Sequence, residues 1–156
     1  MSINGKIVLA HKGFFNKECQ KIYRENSREV CKISGSMDYV DIIELDIRKS
    51  KDGILYCYHG DFFQYYISLK IPRIFSYLQK KYHVDSLADI LEVIPETKII
   101  CFDLKDKGIT KLDILHSLNG KKFKDLVFGS SSISFLDQFD GMSKFFWGNI
   151  FVNFII

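Results

Sequence analysis

Long apolar runs are missing from this 156-residue chain. No stretch approaches the ~18–20 apolar residues of a membrane span. The run nearest the start, Ile7–Ala10, falls short of the ~7–15 residues of a signal-peptide core. The end, Phe145–Ile156, is strongly apolar but short and broken by Gly148, Asn149 and Asn153. Proline is scarce as well: two prolines and ten glycines leave no room for a long linker, so 1–156 reads as one domain. No charge sign dominates. Lys and Arg number 22 against 19 Asp and Glu, a net of +3, too weak to argue for nucleic acid. The four cysteines (Cys19, Cys31, Cys57, Cys101) lack CxxC and zinc spacing, so they read as free thiols of a reducing, cytoplasmic compartment. Disorder is excluded by an apolar fraction of 47%, enough for a normal core at this length.

What is present is alternation of strand and helix. Lys6–Ala10 is a short β-branched run ending at His11. Glu18–Ile33 has the scattered apolar positions of one or two surface helices, with Ser34-Gly35-Ser36 as the stop. Tyr39–Ile47 and Ile54–His59 are the second and third strands, with Lys51-Asp52-Gly53 as a turn between them. Residues 61–85 form an aromatic-rich insertion. Ser86 is an N-cap for a helix over Leu87–Ile94. Lys98–Leu104 is a fourth strand, Leu112–Leu118 a helix ended by Asn119-Gly120, Leu126–Gly129 a fifth strand, Ile133–Phe139 a short helix and Phe145–Val152 a sixth strand. This order predicts an α/β fold of parallel strands joined by crossover helices.

Polar residues collect at the C-terminal ends of these strands, the edge where α/β folds bind ligands. The first strand ends in His11 and the third in His59. The second reads Ile42-Ile43-Glu44-Leu45-Asp46, the fourth Ile99-Ile100-Cys101-Phe102-Asp103-Leu104-Lys105. Side chains alternate along a strand, so Glu44 and Asp46 share a face, as do Asp103 and Lys105. Three converging carboxylates repel one another, and a hard divalent cation, Mg2+ or Ca2+, relieves that repulsion. The two histidines could supply a general base and a general acid. Taken singly, an ExD pair is more often a solvated edge, and a strand-end histidine more often structural. Their coincidence at successive strand ends is what points to a site.

The ordered set resembles the glycerophosphodiester phosphodiesterase family. That family carries HRG after its first strand, a PENT-like motif, an ExD strand, HD after the third strand and an ExK strand. The counterparts here are His11-Lys12-Gly13, Glu25-Asn26-Ser27, Glu44-Leu45-Asp46, His59 and Asp103-Leu104-Lys105, with Lys51-Asp52-Gly53, the stretch from Ser86 and Ser134-Phe135 in support. Lys12 stands where the family has Arg, Gly60 where an Asp follows the histidine, and Asp103 where Glu is usual. An Asp also occurs there in the related spider-venom sphingomyelinase D group. The resemblance implies a TIM-type (β/α)8 barrel, here incomplete with about six strands, since a full barrel needs ~250 residues. It implies metal-dependent hydrolysis of a small-molecule glycerophosphodiester to glycerol 3-phosphate and an alcohol, in phospholipid metabolism. Glu44, Asp46 and Asp103 would bind one Mg2+ or Ca2+; His11 and His59 would exchange acid and base roles; Lys12 and Lys105 would meet the phosphate. No nucleic acid is expected as partner, and no membrane span is expected. Open sheet edges would favour self-association. The competing expectation is an impaired remnant, or a phosphate-binding module of the same fold. His83 and His116 are expected to be exposed and dispensable.

Overall fold

The computed structural model describes residues 6–60 and 73–146. In chain order these form β1 (Leu9–Ala10), α1 (Cys19–Ile22), α2 (Arg28–Ser36), β2 (Ile42–Lys49), β3 (Leu55–Cys57), α3 (Phe75–Tyr82), α4 (Leu87–Val93), β4 (Ile99–Leu104), α5 (Lys111–Leu118), β5 (Asp125–Ser130), α6 (Ile133–Leu136), a 3-10 turn over Asp137–Phe139 and β6 (Ser143–Phe146). Residues 61–72 of the insertion and 147–152 of the sixth strand lie outside the described residues.

The sheet runs β1-β2-β4-β5-β6, all parallel, and is open among the described residues. This is the architecture of part of a (β/α)8 barrel. Parity assigns the two faces of the sheet. Glu44 opposes Cys101 and Asp46 opposes Asp103, so 44, 46, 101 and 103 share one face. Ile43, Leu45, Ile47, Ile100, Phe102, Leu104 and Phe128 point the other way and form the core beneath α2, α4 and α5. Phe102 meets Phe128 tilted at a centroid distance of 5.4 Å, and Phe128 stacks on Phe139 at 4.5 Å, closing the core under β5.

One expectation needs correction. The third strand is not parallel: β3 returns antiparallel along the far end of β2, with Ile47 opposite Cys57 and Lys49 opposite Leu55. The reason lies in its connection, because strands joined by a short turn can only pair antiparallel. Asp46 O accepts from Tyr58 N, whereas Ile47 O accepts from Lys105 N beyond β4, so β3 uses the β2 edge that β1 occupies lower down. His59 therefore follows an antiparallel hairpin arm rather than ending a parallel strand. The stop read at Ser34-Gly35-Ser36 holds, since α2 ends at Ser36, and Gly35 serves packing as well. It lies inside α2, where a Cβ would meet Pro95 Cδ at 2.9 Å, so the glycine permits close packing on the turn after α4. The span 18–33 divides into α1 and α2 at residues 23–27, where Ser27 caps α2 by accepting from Val30 N.

Other local signals read as expected. Ser86 caps α4; on α5 the structure adds a capping box between Thr110 and Asp113 that the sequence reading did not name. Asn119, left-handed at φ 48°, ends α5. All four cysteines are buried free thiols. Among the described residues no helix is long and apolar enough to cross a membrane.

Candidate active site

The site begins with a turn that only glycine allows. After β1 the chain reverses at Lys12 (φ 56°) and Gly13 (φ 81°), with Phe14 N donating to His11 O at 2.9 Å. A Cβ on Gly13 would lie 2.8 Å from Val30 Cγ1 and 2.9 Å from Cys31 Sγ, so the turn nests directly on α2. This reversal aims Lys12 N at Glu44 Oε2, 2.7 Å away. Lys12 O in turn accepts from Asn26 N at 2.8 Å. Asn26 is fully buried and left-handed at φ 55°, a conformation asparagine tolerates better than most residues. Its carboxamide clasps Asp46 twice: Nδ2 donates to Asp46 Oδ2 at 2.8 Å, and Asp46 N donates to Asn26 Oδ1 at 3.0 Å. The loop after β1 thus orients two carboxylates of β2 at once.

Asp103 joins them from β4, directly opposite Asp46. One oxygen from each of Glu44, Asp46 and Asp103 lies within 4.8 Å of the others, and the residues are only 1, 1 and 7% exposed. Lys105, two residues beyond Asp103, places Nζ 2.5 Å from Asp103 Oδ2 and 2.9 Å from Asp46 Oδ1. One ammonium is too little for three buried carboxylates. The Glu44 carboxyl is accordingly pushed up to about 8, by burial first and the Asp46 carboxylate second. Burial also raises Asp103. Burial alone would raise Asp46 too, but Lys105 and the Asn26 amide outweigh it and hold that carboxyl low. Asp46 and Asp103 together lift Lys105 against the effect of its own burial. Glu44 Oε1 is buried with no hydrogen-bond partner, a position a cation would satisfy.

The carboxylates open into a cavity of about 430 Å³ lined by His11, Asp46, Arg48, His59, Asp103, Leu104, Lys105 and Ser131. His11 is solvent-facing, 64% exposed, with Nε2 3.8 Å from Glu44 Oε2. Its pKa lies below the ordinary histidine value, through partial burial first and the Lys12 charge second. His11 and His59 therefore share one cavity with two of the carboxylates, although β3 delivers His59 from the opposite chain direction. Lys12 is placed differently from Lys105: its ammonium sits 3.2 Å from Glu25 Oε2, and it does not line the cavity. His83 and His116 are exposed and do not line the cavity.

Two contributors carry no role in the sequence reading. Asn26 was visible as part of Glu25-Asn26-Ser27, but its clasp on Asp46 depends on a left-handed backbone that spacing does not reveal. Arg48 had a signal: it continues the alternation Glu44, Asp46 and so belongs to the same face of β2.

No protein-family model matches the chain, and no curated protein matches it in sequence. Solved structures do. The glycerophosphodiester phosphodiesterase of Thermotoga maritima superposes with a TM-score of 0.66 at 21% identity, over 90% of this chain and 62% of that one. A phosphodiesterase of Oleispira antarctica, solved in complex with the product sn-glycerol-3-phosphate, gives 0.66 at 18%, over 90% and 65%. A putative glycerophosphodiester phosphodiesterase of Galdieria sulphuraria gives 0.63 at 18%, over 83% and 58%. The chain spans roughly 60% of the length of these proteins, and what it shares with them is the fold.

Proposed function

We propose that the chain is a divalent-cation-dependent phosphodiesterase that cleaves a glycerophosphodiester into glycerol 3-phosphate and an alcohol. The observation that carries this reading is the buried Glu44–Asp46–Asp103 cluster, opening into the cavity that His11 and His59 line. The fold is that of a solved glycerophosphodiester phosphodiesterase and of a solved phosphodiesterase that holds the product sn-glycerol-3-phosphate.

The donor set fits a hard cation. It is all oxygen, carries more negative charge than Lys105 cancels, and leaves Glu44 Oε1 without a partner. A Mg2+ or Ca2+ held by Glu44, Asp46 and Asp103 would supply positive charge against a phosphate oxygen. The remaining work falls to the chain. His11 and His59 exchange the roles of base and acid: one takes the proton of the attacking glycerol hydroxyl while the other gives one to the leaving alkoxide, and with the roles reversed water then opens the cyclic phosphate to glycerol 3-phosphate. Lys105, already among the carboxylates, offers its ammonium to the charge that develops on the phosphoryl oxygens. Lys12 reaches the phosphate only by leaving Glu25; its backbone N–H meanwhile holds Glu44. The cavity volume suits a ligand the size of a glycerophosphodiester head group.

The test is release of glycerol 3-phosphate from glycerophosphocholine and glycerophosphoethanolamine, with Mg2+, with Ca2+ and with EDTA. Turnover with a cation, abolished by EDTA and lowered at least ~100-fold by His59→Ala, is the expected result. No turnover of either substrate with either cation would overturn the reading and leave a phosphate-binding module.

A further inference from the structure

Beyond Cys57 the β2–β3 ladder runs out. Tyr58 N still donates to Asp46 O at 2.9 Å. The next two carbonyls, of Tyr58 and His59, are taken not by a strand but by one side chain. Arg48 Nε donates to Tyr58 O at 3.0 Å and Arg48 Nη2 donates to His59 O at 3.0 Å. The third guanidinium nitrogen, Nη1, donates to Asp106 Oδ1 at 3.2 Å. Asp106 is itself anchored, because its Oδ2 accepts from Lys49 N at 2.9 Å. Asp106 follows Lys105 directly. One buried cation, 5% exposed, therefore joins the backbone of His59 to the strand end that carries Asp103 and Lys105.

We propose that Arg48 is a positioning residue for His59, setting the imidazole against the carboxylate cluster. The proposal rests on the reading of His59 as an acid–base group. Arg suits this place where Lys does not. Its planar fork donates to two successive carbonyls and to a carboxylate at once, whereas an ammonium is a single point on a flexible stem. Burying a guanidinium here also calls for a reason, since apolar residues of similar volume usually serve stability equally well. What an apolar residue cannot do is hold the two carbonyls on either side of the His59 nitrogen and α-carbon.

Arg48→Lys keeps the charge beside Asp106 and removes the fork. Two measurements read the outcome. In long-range proton–nitrogen NMR spectra of the histidine rings at one fixed pH, the His59 signals should shift or broaden while those of His116, on α5, stay. In the glycerophosphocholine assay kcat should fall ~10–100-fold, the cost of roughly an ångström of misplacement, with KM changed less than about threefold. A folded Arg48→Lys with unmoved His59 signals overturns the proposal. Movement of His59 in a chain that hydrolyses nothing upholds the proposal and removes the functional reading instead. If Arg48→Lys does not fold, Asp106→Asn carries the test. It keeps an acceptor for Lys49 N but removes the ion pair that steadies the guanidinium. His59 should again move while His116 stays, and an unmoved His59 again overturns the proposal.

Discussion

Glu44→Gln should make the metal-free protein more stable at alkaline pH, although it removes a residue from the heart of the site. The Glu44 carboxyl is held near 8 rather than 4.5, by burial first and Asp46 second. Between those values the folded chain keeps a proton that the unfolded chain has released. Folding then takes up a proton, so stability falls as pH rises through that window and levels off above it. A shift of that size corresponds to ~5 kcal/mol at about 1.36 kcal/mol per unit. Asp46 titrates together with Glu44 and is held low, so roughly half, ~2–3 kcal/mol, is the expected net. Glutamine keeps an oxygen for Lys12 N–H, carries no charge at any pH and adds a donor to a cluster short of them. In EDTA at pH 8.5 the variant should therefore melt about 4–12 °C above the wild type, at ~2–4 °C per kcal/mol for a chain of this size. At pH 4.5 the gap should close. Added Mg2+ or Ca2+ at a hundredfold excess over its Kd should return ~2.7 kcal/mol to the wild type, and much less to the variant. Thermal melts followed by circular dichroism across pH 4–9, with and without cation, measure all of this. A variant less stable than the wild type at pH 8.5 in EDTA, or a gap that ignores pH, refutes the charge-deficit reasoning.

Gly13→Ala should destabilise by ~2–4 kcal/mol in chemical denaturation. A left-handed residue and contacts under 3 Å with Val30 and Cys31 act together there, and the displaced turn loosens the Lys12–Glu44 bond. Asp46→Ala should weaken Mg2+ or Ca2+ binding at least tenfold in calorimetric titration, because it removes the carboxylate held by both Asn26 and Lys105. Absence of binding heat in the wild type would remove the cation from the mechanism.

Much of this site was legible in one dimension. Glu44 and Asp46, and Asp103 and Lys105, share faces because a strand has period two. The strands are recognisable because buried parallel strands must be apolar until they reach the ligand-binding edge. The cap at Ser86 is local chemistry and needs no tertiary context. What tertiary structure decided is what depends on through-space register and on backbone hand. The order β1-β2-β4 places Asp103 opposite Asp46 across fifty-seven residues of chain, a pairing chosen by strand order and not by spacing. Ser34-Gly35-Ser36 marked the end of α2, but the contact of Gly35 with Pro95 was not legible there, because close packing between distant elements leaves no local pattern. Asn26 and Lys12 took left-handed turns that no residue pattern announces, and through them one loop came to hold two carboxylates. Arg48 belongs to the strand pattern of Glu44 and Asp46, yet only folding β3 back along β2 brings it the carbonyls of Tyr58 and His59. Local periodicity sets which side chains share a face; the meeting of distant faces is set by the core that packs behind them.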